Sequence, residues 1–317
     1  EDLLALAMHS PRGRIDPYPF LRELLARSEY CVLDDGRIFV YGFEQSTAVL
    51  RSPDFLKLGE HASSTPGRIS PEQLEILKRE RPEAPGMLSS IDDPDHARLR
   101  QLVSLAFTPR AIDGYIPLIK KTLDDLLATL DLHEPFDLVR SVNSQIPSQV
   151  VGELIGLPLS DRKMFARLAA LQSLGRDPEA PFEDQLTAVR ARREMYNYIA
   201  ELIDRERNRP SDTPVGRLIS LEQAGKKING PELISLVATV YSAGFGTTVR
   251  MLGNGLVNLL RHPDQAAFLR NNPLLVRQVT DELLRFDTPV MTVGYYVGNG
   301  ATVGGVALDP GSLCTVI

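Results

Sequence analysis

Three short stretches hold residues whose types and spacing could do chemistry. In the first, His96 and Arg100 lie four apart in Asp93-Pro94-Asp95-His96-Ala97-Arg98-Leu99-Arg100. On a helix they share a face, and Val103 and Phe107 continue it. Two nitrogen donors on an inward stripe need an anion such as a carboxylate; beside the core edge they could equally snorkel into solvent. In the second, Ser242-Ala243-Gly244-Phe245-Gly246-Thr247-Thr248 places two glycines and two threonines inside a long apolar pattern. Each glycine costs a helix roughly 1 kcal/mol. Either the glycines serve close helix packing and the threonines bond back to the preceding turn, or they set a kink that lets a large flat group lie alongside. In the third, Glu282 and Arg285 are three apart and can pair.

Other chemistries find no support. The five histidines, His9, His61, His96, His133 and His262, are scattered without metal-ligand spacing. Gly244-x-Gly246 lies within a helical pattern and lacks the third glycine of a dinucleotide loop, and there is no P-loop. Cys31 and Cys314 are far apart and form no CxxC pair, which fits a reducing, cytoplasmic setting.

The elements that must position these residues are mostly helices. Asn229-Gly230-Pro231-Glu232 is a strong helix start, and no breaker follows before His262-Pro263. At 1.5 Å per residue this helix spans roughly 45 Å. Its apolar residues occupy more than one face, from Leu233 to Leu259, which predicts a central position. Helices are also expected from Asp92, over Ile116–Leu130, over Val150–Ile155, over Glu183–Arg209 and over Pro273–Phe286. Cys31-Val32-Leu33 and Ile38–Tyr41, around Asp34-Asp35-Gly36, read as a hairpin, and strand signals return after Tyr295. The Ser63–Pro85 segment reads as a loop with a short helical piece.

The bulk properties agree. The chain has 317 residues, 43% of them hydrophobic, enough for a large core. A net charge of −6 argues against nucleic-acid or anionic-membrane partners. No stretch reaches roughly 18 uninterrupted apolar residues. No signal peptide, linker or repeat is visible, so a single domain over 1–317 is expected.

Taken together and in order, these motifs resemble bacterial cytochrome P450s. Asp93–Arg100 with Ala106-Phe107-Thr108-Pro109-Arg110 is similar to that family's haem-propionate helix. Ala243–Thr248 with Gly253-Asn254-Gly255 is similar to its oxygen-activation helix, and Glu282-Leu283-Leu284-Arg285 to its Glu-x-x-Arg helix. The similarity covers essentially the whole chain. It implies a mainly α P450-like fold with a small β region. It implies haem b and O2-dependent mono-oxygenation of a small hydrophobic molecule, as in secondary-metabolite biosynthesis, with electrons from a ferredoxin-type donor.

Residue by residue, the resemblance implies that His96 and Arg100 bind the propionates, with Ala243 and Gly244 beside the haem. Thr247 would help deliver protons, and Glu282 and Arg285 would brace the core. Met87, Leu88, Val240, Val290 and Val293 would line the substrate. It places the family's cysteine loop beyond Ile317, so the fold is expected to lack its C-terminal part and the haem-ligating thiolate. The exposed side would then be covered by a protein partner or a second copy. Two internal departures stand out: Gly246 where an acid is usual, and Tyr295 where a propionate-binding arginine is expected. They keep open an alternative, a haem-less relative used for binding, non-redox catalysis or as a helper subunit.

Overall fold

The computed structural model describes residues 2–57, 69–82, 84–131, 133–176, 180–208, 211–225 and 227–317. His61 and the start of the Ser63–Pro85 segment lie outside the described residues. The chain forms two compact units, Glu1–Gly59 with Val290–Ile317, and Glu60–Pro289.

The first unit holds helices α1 (Asp2–His9), α2 (Pro11–Ile15), α3 (Tyr18–Leu25) and α4 (Phe43–Arg51). Its strands are β1 (Tyr30–Val32), β2 (Ile38–Val40), β3 (Phe55–Lys57), β4 (Val293–Val297), β5 (Thr302–Val303), β6 (Val306–Ala307) and β7 (Leu313–Val316). β-Branched and aromatic side chains suit these pleated, half-buried runs. The predicted hairpin forms, with Cys31 opposite Phe39. Gly36 supplies the left-handed residue of its turn, at φ 82°. The main sheet runs β1-β2-β7-β4-β3. β7 enters between β2, to which it is parallel, and β4, to which it is antiparallel. Cys314 is therefore fully buried, among Ile38, Val40, Phe55, Tyr295 and Val297. β5 and β6 form a separate hairpin.

The second unit is helical. It comprises α5 (Pro71–Glu80), α6 (Asp95–Ala106), α7 (Pro109–Asp113), α8 (Ile116–Ala128), α9 (Gln145–Leu154), α10 (Arg162–Ser173), α11 (Phe182–Arg207), α12 (Pro214–Gln223), α13 (Gly230–Arg261), α14 (Pro263–Asn271) and α15 (Val276–Phe286). α13 starts where predicted, closed by a reciprocal cap between Asn229 and Glu232. Its first half forms the core: Leu233, Leu236, Val237 and Tyr241 are buried against residues of α9, α10 and α11. Tyr241 stacks on Phe245 and meets Phe165 edge-on, at centroid distances of 5.8 and 5.1 Å.

One expectation needs correction. α13 is central only in its first half; past Gly255, Leu256, Val257 and Leu260 are exposed, Leu260 to 73%. Leu283 of α15 meets the helix at Gly255, and the described neighbours leave the opposite flank open. By length and mean hydropathy α13 could cross a membrane, although it holds no run of about 18 uninterrupted apolar residues. Its polar residues interrupt the apolar run without lowering its mean hydropathy below that of a span, and its first half is occupied by neighbouring helices. The apolar stripe of α8 likewise stays half in solvent, with Ile116, Ile119 and Leu127 exposed.

Candidate functional site

α13 presents one open stripe, Ala243, Gly246, Thr247, Arg250 and Asn254, at three- and four-residue spacing. Ala243 and Arg250 are exposed and the rest half-buried. The helix is continuous through its glycines, and the Thr247 hydroxyl donates to the Ala243 carbonyl one turn back. The hydroxyl proton is thereby committed to the backbone, while the oxygen keeps lone pairs free to accept. Gly244 points elsewhere: a Cβ there would stand 2.9 Å from Val151 Cγ2 of α9. The room on its Cβ side is filled by that valine, so Gly244 serves helix packing.

Leu88 and the Pro85-Gly86 segment before it reach α13 through two hydroxyls that sequence reasoning missed. Ser235 Oγ lies within hydrogen-bond distance of the Pro85 and Gly86 carbonyls, at 2.9 and 2.7 Å. The Leu88 N–H donates to Thr239 Oγ1 at 3.1 Å, and that hydroxyl donates to the Ser235 carbonyl. This latch sets Leu88 and Val240 at the edge of the same apolar cluster. Its signal was present as two hydroxyls four apart in an apolar helix, one turn before Ala243.

His96 and Arg100 share one edge of α6, with Val103 and Phe107 partly buried behind them. Asp93 Oδ1, just before the helix's N-cap Pro94, accepts the Ala97 N–H and lies 3.5 Å from His96 Nδ1. Arg100 is exposed and, among the described residues, makes no side-chain hydrogen bond or ion pair. Arg98, not singled out from sequence, is the structural residue of this helix. Its guanidinium bonds Asp95, the Lys227 carbonyl and Glu232 at the start of α13. No described hydrogen bond links His96 or Arg100 to the α13 stripe.

Glu282 and Arg285 form a two-point ion pair at 2.7 Å in both contacts, with side chains 58% and 68% exposed. The arginine holds the Glu282 carboxyl below its ordinary range. Val290 and Val293, at and before the start of β4, belong to the first unit and are exposed there. Tyr295, in the same strand, is buried; its hydroxyl accepts from Lys57 Nζ at 3.2 Å, across the β3–β4 pairing. A separate cavity of about 360 Å³, lined by Arg110, Tyr115, Asp212 and Arg217 among others, contains none of the candidate residues. No group of three or more potential metal ligands occurs among the described residues.

A long central helix with a polar stripe, a latched loop beside it and a small sheet is the architecture of a P450-type protein. No protein-family model matches the chain. The vitamin D(3) 25-hydroxylase of Pseudonocardia autotrophica is 34% identical over 229 residues, which are 72% of this chain and 55% of that protein. Cytochrome P450 CYP107DY1 of Priestia megaterium is 29% identical over 318 residues, 96% of this chain and 76% of that protein. The ligand-free structure of CYP164A2 from Mycobacterium smegmatis superposes with a TM-score of 0.83 at 28% identity, covering 100% of this chain and 78% of that one. The chain thus spans between about half and three quarters of the length of these relatives. It belongs to the cytochrome P450 superfamily.

Membership implies haem, and the donor set fits it only in part. The cationic pair suited to its acid groups is present in His96 and in an Arg100 free of other partners. No thiolate accompanies it among the described residues. Both cysteines belong to the sheet of the first unit, and burial pushes the Cys314 thiol up to about 12.

Proposed function

We propose that this chain carries the helical part of a cytoplasmic P450-type mono-oxygenase acting on a small hydrophobic molecule of the secondary-metabolite kind. The observation that supports this best is the α13 stripe holding Thr247, on the same helix to which Ser235 and Thr239 tie the loop 85–88. In this reading Met87, Leu88, Val240, Val290 and Val293 contact the substrate. His96 and Arg100 hold the acid groups of haem b, Ala243 lies beside it, and Thr247 handles protons. Glu282 and Arg285 brace the fold, and a ferredoxin-type protein supplies electrons. A hydroxylase of vitamin D(3) among the relatives agrees with an apolar substrate.

The test is an absorbance spectrum of the full-length protein with hemin, reduced and exposed to carbon monoxide. A Soret band at the position of thiolate-ligated ferrous haem supports the reading. Failure to take up hemin removes it.

A second reading, a haem-less relative that binds ligands or assists a partner enzyme, is favoured by one specific observation. At position 246 there is no carboxylate, and the Arg250 guanidinium lies over the glycine in its place.

A further inference from the structure

Among the described residues, Arg250 is a cation without an anion. Its Nε donates to the Pro289 carbonyl at 2.9 Å, which anchors the side chain. Its terminal nitrogens Nη1 and Nη2 lie 3.7 Å from where a Cβ of Gly246 would be, so the guanidinium folds back along the stripe over Gly246. The four positions that could neutralise it along the helix are Gly246, Thr247, Gly253 and Asn254, all uncharged. The nearest acid on the segment that anchors it, Asp287, is engaged by Asn258 Nδ2 at 3.1 Å. Among the described residues Arg250 forms no ion pair. A guanidinium presents paired N–H donors in a planar fork that matches a carboxylate, and such charge-assisted bonds are about twice as strong as neutral ones.

We infer that Arg250 selects ligands bearing a carboxylate, holding the acid group over Gly246 while the apolar remainder lies along the Ala243 and Leu88 side of α13. This rests on the reading of the stripe as the substrate-facing surface and narrows its substrate class from hydrophobic molecules to hydrophobic acids. Gly246 has a role in it, because a side chain there would occupy the place of the acid group, and an acidic one would satisfy Arg250 internally.

The test compares decanoate with decanol by isothermal titration calorimetry on the full-length protein. Decanoate is expected to bind at least about tenfold more tightly, the scale of one charged hydrogen-bonding contact. Arg250→Gln should abolish the difference and leave decanol unchanged, and Arg250→Lys should retain part of it. Equal affinities in the unmodified protein overturn the inference, as does a preference that survives Arg250→Gln. Binding of neither probe overturns the apolar-surface reading as well, which separates that failure from one where decanol alone binds. Arg250 is exposed, so the variants should melt as the parent does; if Arg250→Gln does not fold, the parent's preference and Arg250→Lys still decide.

Discussion

Val151 occupies the side-chain space of Gly244: a Cβ on that glycine would come within 2.9 Å of Val151 Cγ2. Val151 is itself 5% exposed and belongs to the main core cluster, so it has little freedom to retreat. The packing of Val151 of α9 on α13 therefore uses the space of a missing methyl group one residue from Ala243, on the helix's open stripe.

Gly244→Ala should for this reason destabilise the protein by about 1–2 kcal/mol, overpacking outweighing the gain of roughly 1 kcal/mol in helix propensity. Adding Val151→Ala should recover part of the loss through non-additive coupling. Urea unfolding of the two single variants and the double variant measures this; strictly additive changes would show that the two residues do not compete for space.

The Arg98–Glu232 contact, 2.5 Å between partly buried groups, joins α6 to the start of α13. Arg98 holds the Glu232 carboxyl below the 4.5 of a free glutamate, first through its hydrogen bond. A depressed carboxyl stabilises fully above its unfolded value and loses that contribution as pH falls through its folded value. Arg98→Ala should cost about 1–3 kcal/mol at pH 7. The gap between variant and parent should narrow as the pH is lowered past about 4.5. Denaturant midpoints measured from pH 7 to pH 3 check the direction.

Thr239→Val removes the acceptor of the Leu88 amide, and Ser235→Ala removes the contact to the Pro85 and Gly86 carbonyls. Each should cost about 1 kcal/mol, and exchange of the Leu88 amide proton should accelerate first in Thr239→Val. Unchanged protection at Leu88 would mean that the loop is held by packing and not by the hydroxyls.

Cys314 should resist thiol reagents at pH 8 until the fold opens, because it is fully buried and its thiol is pushed up to about 12 by burial. Iodoacetamide labelling followed by peptide mass analysis should find Cys314 modified only after denaturant is added. Rapid native labelling at this position would contradict the central placement of β7.

The sequence alone determined that the chain is helical with a small sheet, because apolar periodicity and caps such as Asn229–Glu232 are local properties, formed within one turn. It determined the hairpin around Gly36 for the same reason. The order of its motifs carried the P450 resemblance. Tertiary structure decided what each polar residue meets. Gly244 left two readings open in the sequence, close helix packing or room for a flat group, and its direction on the helix aims it at Val151, which lies 93 residues earlier in the chain. Arg98 was passed over between two better-known neighbours, though it alone of the three closes an ion pair with α13. Ser235, Thr239 and Arg250 were not singled out in the sequence. Their partners, the Leu88 amide and the carbonyls of Pro85, Gly86 and Pro289, are backbone atoms of distant segments, and no residue type announces which carbonyl a fold will bring near.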